Sequence, residues 1–307
     1  MPRAARLFFM HLGTFVPVFV YFNLAERAGY SAPGVQHALG IALAVHLVYA
    51  AIARAVGELK QFDFGLITLW AGGLAAAWGG IEPVVAAFQH YSAALLFATL
   101  AATSLVPRLA GAEPFTAYYG RRQTPLWQQR LPLFETLLGL IATCWTFLFI
   151  LAATAAAWSP RDWRFTFLIP NLLTLGVGTV ASAVIPLVYV KLFPPPLPDR
   201  VEPLLLGMPF VFDRRAGRDA RASIQFRVTG GDAGNYWLEI ARGRCKSFAG
   251  EAPAADLTIH TPDAVWLGIA HGRIDGAQAL AEGLYRVEGD LALLARLTEW
   301  FPTRARA

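Results

Sequence analysis

The sequence predicts a multi-domain chain: an N-terminal all-α transmembrane helical bundle of six spans over residues 1–193, and a C-terminal α+β domain over residues 208–307 with a curved antiparallel sheet covered by helices. Three observations carry this. Long apolar runs recur through the first part, and the mean hydropathy of the whole chain is +0.45. Charge is unevenly placed: residues 1–193 hold 12 Lys and Arg against 7 Asp and Glu, while residues 194–307 hold 14 of each. The period of the apolar residues also changes after the proline-rich stretch, from continuous runs to strand-like alternation.

The apolar runs are Leu7–Leu24, Val35–Val56, Phe62–Gly80, Val84–Val106, Leu133–Trp158 and Phe165–Phe193. Each approaches or exceeds the roughly 20 residues that cross a hydrocarbon core as a helix. Backbone groups in lipid must be satisfied within the segment, so these runs are expected to be helical. Arg3 and Arg6 precede the first run, and Asn23, Glu26 and Arg27 follow it without a small-residue cleavage pattern, so a retained span is expected rather than a signal peptide. Pro17, Pro170 and Pro186 are expected to interrupt the first and last spans.

Cationic residues set the expected orientation. With a cytoplasmic N-terminus, the inner segments carry Arg3, Arg6, Arg54, Lys60, Arg108, Arg121, Arg122 and Arg130, and the outer ones Arg27, Arg161 and Arg164. The expectation is an integral multi-pass protein of a bacterial inner membrane, with its N-terminus and C-terminal domain cytoplasmic. The basic pI of about 9.4 arises in the apolar half and flanks spans, which argues against nucleic acid as a partner.

Polar residues within or near the spans are His11, Asn23, His37, His46, Glu82, His90 and Asn171. Ionisable groups at membrane depth are candidate functional residues. His46 and His90 are the deepest, and each has two readings: an interhelical hydrogen-bond link, or a ligand or proton site. No HExxH or paired acidic motif accompanies them, so no catalytic residues, metal ligands or cofactor are assigned and no enzyme activity is expected. Cys144 and Cys245 lie far apart with no ligand spacing. The loop "AGAEPFTAYYGRRQTPLWQQRLP" mixes Phe115, Tyr118, Tyr119 and Trp127 with Arg121, Arg122 and Arg130, as headgroup-anchoring segments do. Its "PFTAYYGRR" resembles a pattern of bacterial polytopic membrane proteins of unknown function, which implies no activity.

"KLFPPPLPDRVEP" cannot continue a helix and predicts a semi-rigid linker over 194–207. Beyond it, "ASIQFRVTG" and "YWLEIARGR" alternate as two strands around the turn "GDAGN". "DLTIHT" is a further strand, with Thr261 the expected cap of the helix "PDAVWLGIAHG". "DGAQALAEG" is a short helix, "LYRVEG" a strand and "DLALLARLTEWF" a last amphipathic helix.

The stretch "ADLTIHTPDAVWLGIAHGRIDGAQALAEGLYRVEGDLALLARL" resembles the sterol carrier protein 2 (SCP2) domain family. The matching positions are Asp256–Ile259, Thr261, Asp263, Gly272, Asp275, Ala279 and Gly283–Asp290, and the likeness extends over roughly 208–301. It implies an apolar tunnel between sheet and helices, a lipid or sterol-like ligand, and no metal or catalytic group. Alternation then nominates Ile224, Phe226, Val228, Leu238, Ile259, Trp266, Ile269, Tyr285, Val287, Leu294 and Leu297 as lipid-binding. The ending "RARA" departs from the peroxisomal address of some members, and Trp300 and Phe301 are nominated for contact with the membrane. The resulting expectation is a membrane-anchored lipid-binding or lipid-transfer protein. Alternatives are a membrane enzyme or transporter for a lipid substrate, or a scaffold with a non-binding domain. A membrane-protein or enzyme partner is left unidentified.

Overall fold

The computed structural model describes residues 12–129, 131–193 and 197–301. Arg3, Arg6, His11, the start of the first apolar run, Arg130, Pro194–Pro196, the "RARA" ending and the Trp127 side chain lie outside what it describes. The chain forms two compact units: residues 1–123 with 135–193, and residues 124–134 with 194–307.

The first unit is helical. A 3₁₀ turn (Gly13–Phe15) leads into α1 (Val16–Arg27), followed by α2 (Ala32–Ala55), α3 (Gln61–Trp78), α4 (Glu82–Leu109) and α5 (Thr116–Gln123). The short α6 (Leu126–Gln129) falls in the second unit, and α7 (Pro132–Trp158) returns to the first. The last long helix, α8, strings together π-helical Arg164–Leu168, α-helical Ile169–Asn171, π-helical Leu172–Gly178 and α-helical Thr179–Leu192. Among the described residues, four helices are long and apolar enough to cross a membrane by length and composition: Ala32–Ala55, Glu82–Leu109, Leu133–Trp158 and Arg164–Val190. The helix at the third apolar run, α3, spans 18 residues with Asp63 in its first turn.

Pro17 does not interrupt a helix. It occupies the first turn of α1, where no intrahelical N–H is needed. Pro170 lies between the two π-helical stretches, and its carbonyl receives the Thr174 hydroxyl at 2.8 Å. Such widened turns accommodate the ring that an α-helical interior excludes. The Trp145 indole covers Gly178, where any side chain would collide with it, and donates to Ser182 Oγ at 2.8 Å.

The core of this unit joins α1 to α4. Tyr21 stacks on Trp70 with ring centroids 5.1 Å apart and shares a 2.8 Å hydrogen bond with Ser92. Leu39, Leu66, Phe88 and Leu100 fill the space around them.

The second unit is built on a five-stranded sheet in the order β3-β2-β1-β4-β5. The strands are β1 (Arg221–Thr229), β2 (Gly234–Ala241), β3 (Arg244–Ala249), β4 (Leu257–Pro262) and β5 (Arg286–Gly289). Its helices are α9 (Val201–Val211), α10 (Asp263–Ala270), α11 (Gly276–Ala281) and α12 (Leu291–Trp300). The expected antiparallel sheet is instead mixed, because β1 pairs with β4 in parallel and the other neighbours are antiparallel. Alternation reports which face a residue occupies and carries no information on the direction of the neighbouring strand. Asp256 fixes the crossover: its backbone N–H donates to Ser223 O at 2.8 Å, and its carboxylate accepts the Ser223 N–H at 2.7 Å.

Three further expectations change. Strand β3 lies where a connection was expected. It is an edge strand with exposed Arg244, Lys246, Phe248 and Ala249 alternating with half-buried residues, so it lacks a strong apolar alternation. Helix α9 begins at Val201, inside the segment expected as spacer, because Val201, Leu204 and Leu205 bury on one face and Pro203 sits in the tolerant first turn. Strand β4 extends to Pro262, so Pro262 rather than Thr261 precedes α10, and Thr261 is buried in the sheet.

The sheet is not one-sided. Gln225 is buried on the face opposite Ile224 and Phe226. Its amide donates to Phe226 O and Tyr236 O, both at 3.0 Å, and its carbonyl accepts the Ala252 N–H at 2.7 Å.

The β1–β2 turn docks on the start of α10. The Asp263 carboxylate accepts the Asp232 N–H at 2.9 Å and the Ala264 N–H at 2.7 Å, which hold it below the usual carboxylate range. Gly230 adopts φ +110°, and a methyl there would strike that carboxylate. A depressed folded-state pKa stabilises the fold above the ordinary carboxylate value, and the contribution disappears as pH falls through the folded value. The gap in thermal midpoint between wild type and Asp263→Asn is therefore expected to be widest near neutral pH. It should close below about pH 3.9, which a pH series of thermal unfolding curves checks.

Candidate functional site

One layer of the second unit gathers every residue nominated for lipid binding. Ile224, Phe226, Val228, Leu238, Ile259, Tyr285 and Leu297 are buried in a single apolar cluster, and Trp266, Ile269, Val287 and Leu294 pack against it half-buried. Strand register explains the alignment. Leu238, Ile224 and Leu257 form one row across β2, β1 and β4, and Tyr236, Phe226, Ile259 and Val287 form the next. Paired residues on a sheet share a face, so a two-residue step along β1 moves from one row to the next.

Short helices cover these rows. Helix α10 places Trp266 edge-on to Phe226 at a centroid distance of 5.0 Å, and Tyr285 stands 6.4 Å away in the same manner. The Tyr285 hydroxyl leaves the apolar layer and donates to Gly276 O at 3.0 Å, where α11 starts. Asp275 caps α11 by accepting the Gln278 N–H, and Asp290 caps α12 by accepting the Ala292 N–H. Sheet residues are almost wholly buried, whereas several helix residues are half-exposed, so the two walls of the layer differ in how firmly they are held.

Sequence reasoning missed part of this layer. Val201 and Leu205 of α9 belong to it, as does Trp300, which has no exposed surface. Trp300 is therefore not a membrane contact: it ends the buried stripe of α12, its ring lies under the Arg296 guanidinium at 4.7 Å, and its carbonyl accepts the Asp213 N–H. Phe301 rests on Phe212 with centroids 5.5 Å apart. The i, i+4, i+7 spacing of Leu293, Leu297 and Trp300 carries that signal in the sequence.

A depression of about 530 Å³ opens at the edge of the layer, with Arg227, Thr229, His260, Tyr285 and Arg286 among its lining residues. Only Tyr285 is shared with the nominated set. The early arginines Arg214, Arg215, Arg218, Arg221 and Arg227 are all exposed, and Arg227 pairs with Glu251 at 3.0 Å.

The first unit holds a second arrangement, which is polar. His46 is fully buried, and its Nδ1 accepts from Trp70 Nε1 at 3.2 Å. That acceptor role leaves the ring proton of a neutral imidazole on Nε2, which faces Asp63 Oδ1 at 3.5 Å. Asp63, also fully buried, accepts the Lys60 N–H at 2.7 Å on its other oxygen. Lys60 Nζ donates to Thr14 Oγ1 at 2.8 Å and to Tyr49 at 3.2 Å. Glu58 accepts the Tyr118 hydroxyl and pairs with Arg122 at 3.5 Å, and the Arg122 guanidinium lies over the Tyr118 ring at 3.8 Å. Burial pushes the Lys60 ammonium down and the Tyr118 and Tyr119 hydroxyls up.

Lys60 is thus buried instead of flanking a span, and Tyr118 and Arg122 of "PFTAYYGRR" help build the cluster. Of the two readings of His46, the structure supports the interhelical link. His90 is exposed on α4 beside the Tyr91 ring, and His37 is exposed as well. Apart from the local Asp63–Lys60 contact, the partners of Asp63, Lys60 and Glu58 (Thr14, His46, Tyr49, Tyr118 and Arg122) lie on other elements, so no local motif marks the cluster.

Comparison with known proteins bears on the second unit alone. The model of the SCP-2 sterol transfer family matches residues 214–302. Solved structures similar to the chain include sterol carrier protein 2 like 2 from Aedes aegypti, at 19% identity over 31% of this chain and 87% of that one, with a TM-score of 0.27. The apo sterol carrier protein 2 of Yarrowia lipolytica is 16% identical over 29% and 76%, with a TM-score of 0.25. The Aedes aegypti sterol carrier protein 2 in complex with palmitate is 19% identical over 31% and 93%, with a TM-score of 0.25. No curated protein matches the chain. The C-terminal unit therefore carries an SCP2-like domain over residues 214–302.

Proposed function

We propose that this chain is a multi-pass membrane protein whose SCP2-like domain binds an apolar lipid or sterol and transfers it, with no chemistry of its own. The observation that carries the reading is the continuous apolar layer between sheet and helices, inside a segment that matches the sterol transfer family. Helices α10, α11 and α12 are only 8, 6 and 10 residues long. Short, half-exposed helices belong to the low-stability end of a fold and can part from a rigid sheet. A ligand entering between them occupies the tunnel that the resemblance implies. Each CH₂ taken in escapes about 0.8 kcal/mol of exposure to water, which makes a protein shield worthwhile for a long chain.

The four long apolar helices support membrane anchoring, and the cationic residues between them support a cytoplasmic C-terminal domain in a bacterial inner membrane. Extraction of membranes with alkaline carbonate is expected to leave the chain in the pellet; release into the supernatant would contradict the anchor. Uptake of a fluorescent long-chain fatty acid by the full chain in nanodiscs tests the ligand. Saturable binding with an endpoint of one per chain is expected, and a signal matching empty nanodiscs would count against it.

A second reading has its own support. Buried charge is costly and is retained where it serves a purpose. The His46–Asp63–Lys60–Glu58–Arg122 cluster therefore favours a membrane half that itself acts on a lipid substrate, as enzyme or transporter, with the SCP2-like domain delivering or sensing it.

A further inference from the structure

A groove of about 440 Å³ runs between the end of α4 and the middle of α7. Its walls are Leu105 and Leu109 on one side and Phe147 and Ile150 on the other, all exposed apolar side chains. At one end stands Arg108, half-buried, with Nη1 donating to Thr143 Oγ1 at 3.1 Å. Among the described residues no carboxylate pairs with this guanidinium. The contrast lies close by in the chain: Arg121 pairs with Glu113 and Glu135, and Arg122 with Glu58.

The two helices run antiparallel here. Arg108 meets Gly139 and Thr143, and one turn back along α4 Ser104 meets Thr146 at 2.6 Å. From Thr143 to Ile150, the groove follows α7 for about 10 Å at 1.5 Å per residue. Half of a hydrocarbon core is roughly 15 Å, so a groove of that length fits within one leaflet. Its cation stands in the last turn of α4, and its apolar walls lead back along that helix. An arginine carries several N–H donors in a planar fork suited to phosphate oxygens, and Thr143 engages only one nitrogen.

We propose that this groove is a binding site for a phospholipid of net negative charge, with the phosphate on Arg108 and one acyl chain along Leu105, Phe147 and Ile150. The site rests on the reading of α4 and α7 as membrane-spanning, and it is separate from the apolar layer of the SCP2-like domain.

The test is native mass spectrometry of the full chain released from nanodiscs of equal phosphatidylglycerol and phosphatidylcholine. Wild type is expected to retain phosphatidylglycerol preferentially. Arg108→Gln should lower that preference about fivefold, the scale of one arginine near an anionic surface. Arg108→Lys should restore part of it, which separates lost charge from lost folding, and Arg121→Gln should match wild type. Equal retention by wild type and Arg108→Gln in chains that do insert would overturn the site while leaving the membrane reading intact. Failure of the chain to insert into nanodiscs at all would overturn both.

Discussion

Alanine in place of Phe226 is expected to destabilise the second unit by about 3–5 kcal/mol, the usual cost of removing a buried phenyl ring. Phe226 has no exposed surface, lies in the row with Tyr236, Ile259 and Val287, and receives the edge of Trp266. The loss falls on the sheet and on α10 together, because the ring is the surface on which that helix rests. Hydrogen exchange of β1 and β4 in the full chain measures it: amides protected in wild type should exchange through a lower-energy opening in the variant. A change under about 1 kcal/mol would mean that the ring is already surrounded by displaceable material. Trp266→Ala should be milder for the fold, since that side chain is only half-buried, and should act more on ligand retention.

Asp63→Ala is expected to cost the first unit about 1–3 kcal/mol, the cost of leaving buried donors without their acceptor. The carboxylate holds the Lys60 N–H at the start of α3 and faces His46 Nε2, so its removal leaves a buried ammonium and a buried imidazole N–H less compensated. A thermal ramp in detergent micelles should show an early loss of folded protein. His46→Ala should cost less, because it removes a neutral link and leaves no charge behind. Equal tolerance of both changes would show that water reaches the cluster.

The two halves were legible to different degrees. In the second unit, the alternation of Ile224, Phe226 and Val228 reports a face directly, and all eleven nominated side chains fall in one apolar cluster. Alternation could not report that β1 and β4 run parallel, because that depends on the path of residues 250–256 across the end of the sheet. It also passed over β3, where four of the six residues are solvent-exposed. Trp300 was misplaced because an aromatic residue near the end of a chain reads as interfacial, whereas helical spacing from Leu293 and Leu297 puts it inside. In the first unit, composition indicated helices but not their mutual packing. His46 stood out as a lone polar residue in an apolar run. Its partners Trp70 and Asp63 sit on the next helix, so the cluster exists only once α2 and α3 are side by side.

The proposed ligand of the SCP2-like domain is an apolar lipid held within the layer around Phe226 and Trp266. Mass determination of the intact full chain, extracted in mild detergent and freed of bulk lipid, tests this most directly. One tightly held apolar lipid per chain is expected, with its fraction reduced by Trp266→Ala and unchanged by Arg108→Gln. A chain that emerges lipid-free in both wild type and Trp266→Ala, and stays lipid-free after incubation with excess fatty acid, would contradict it.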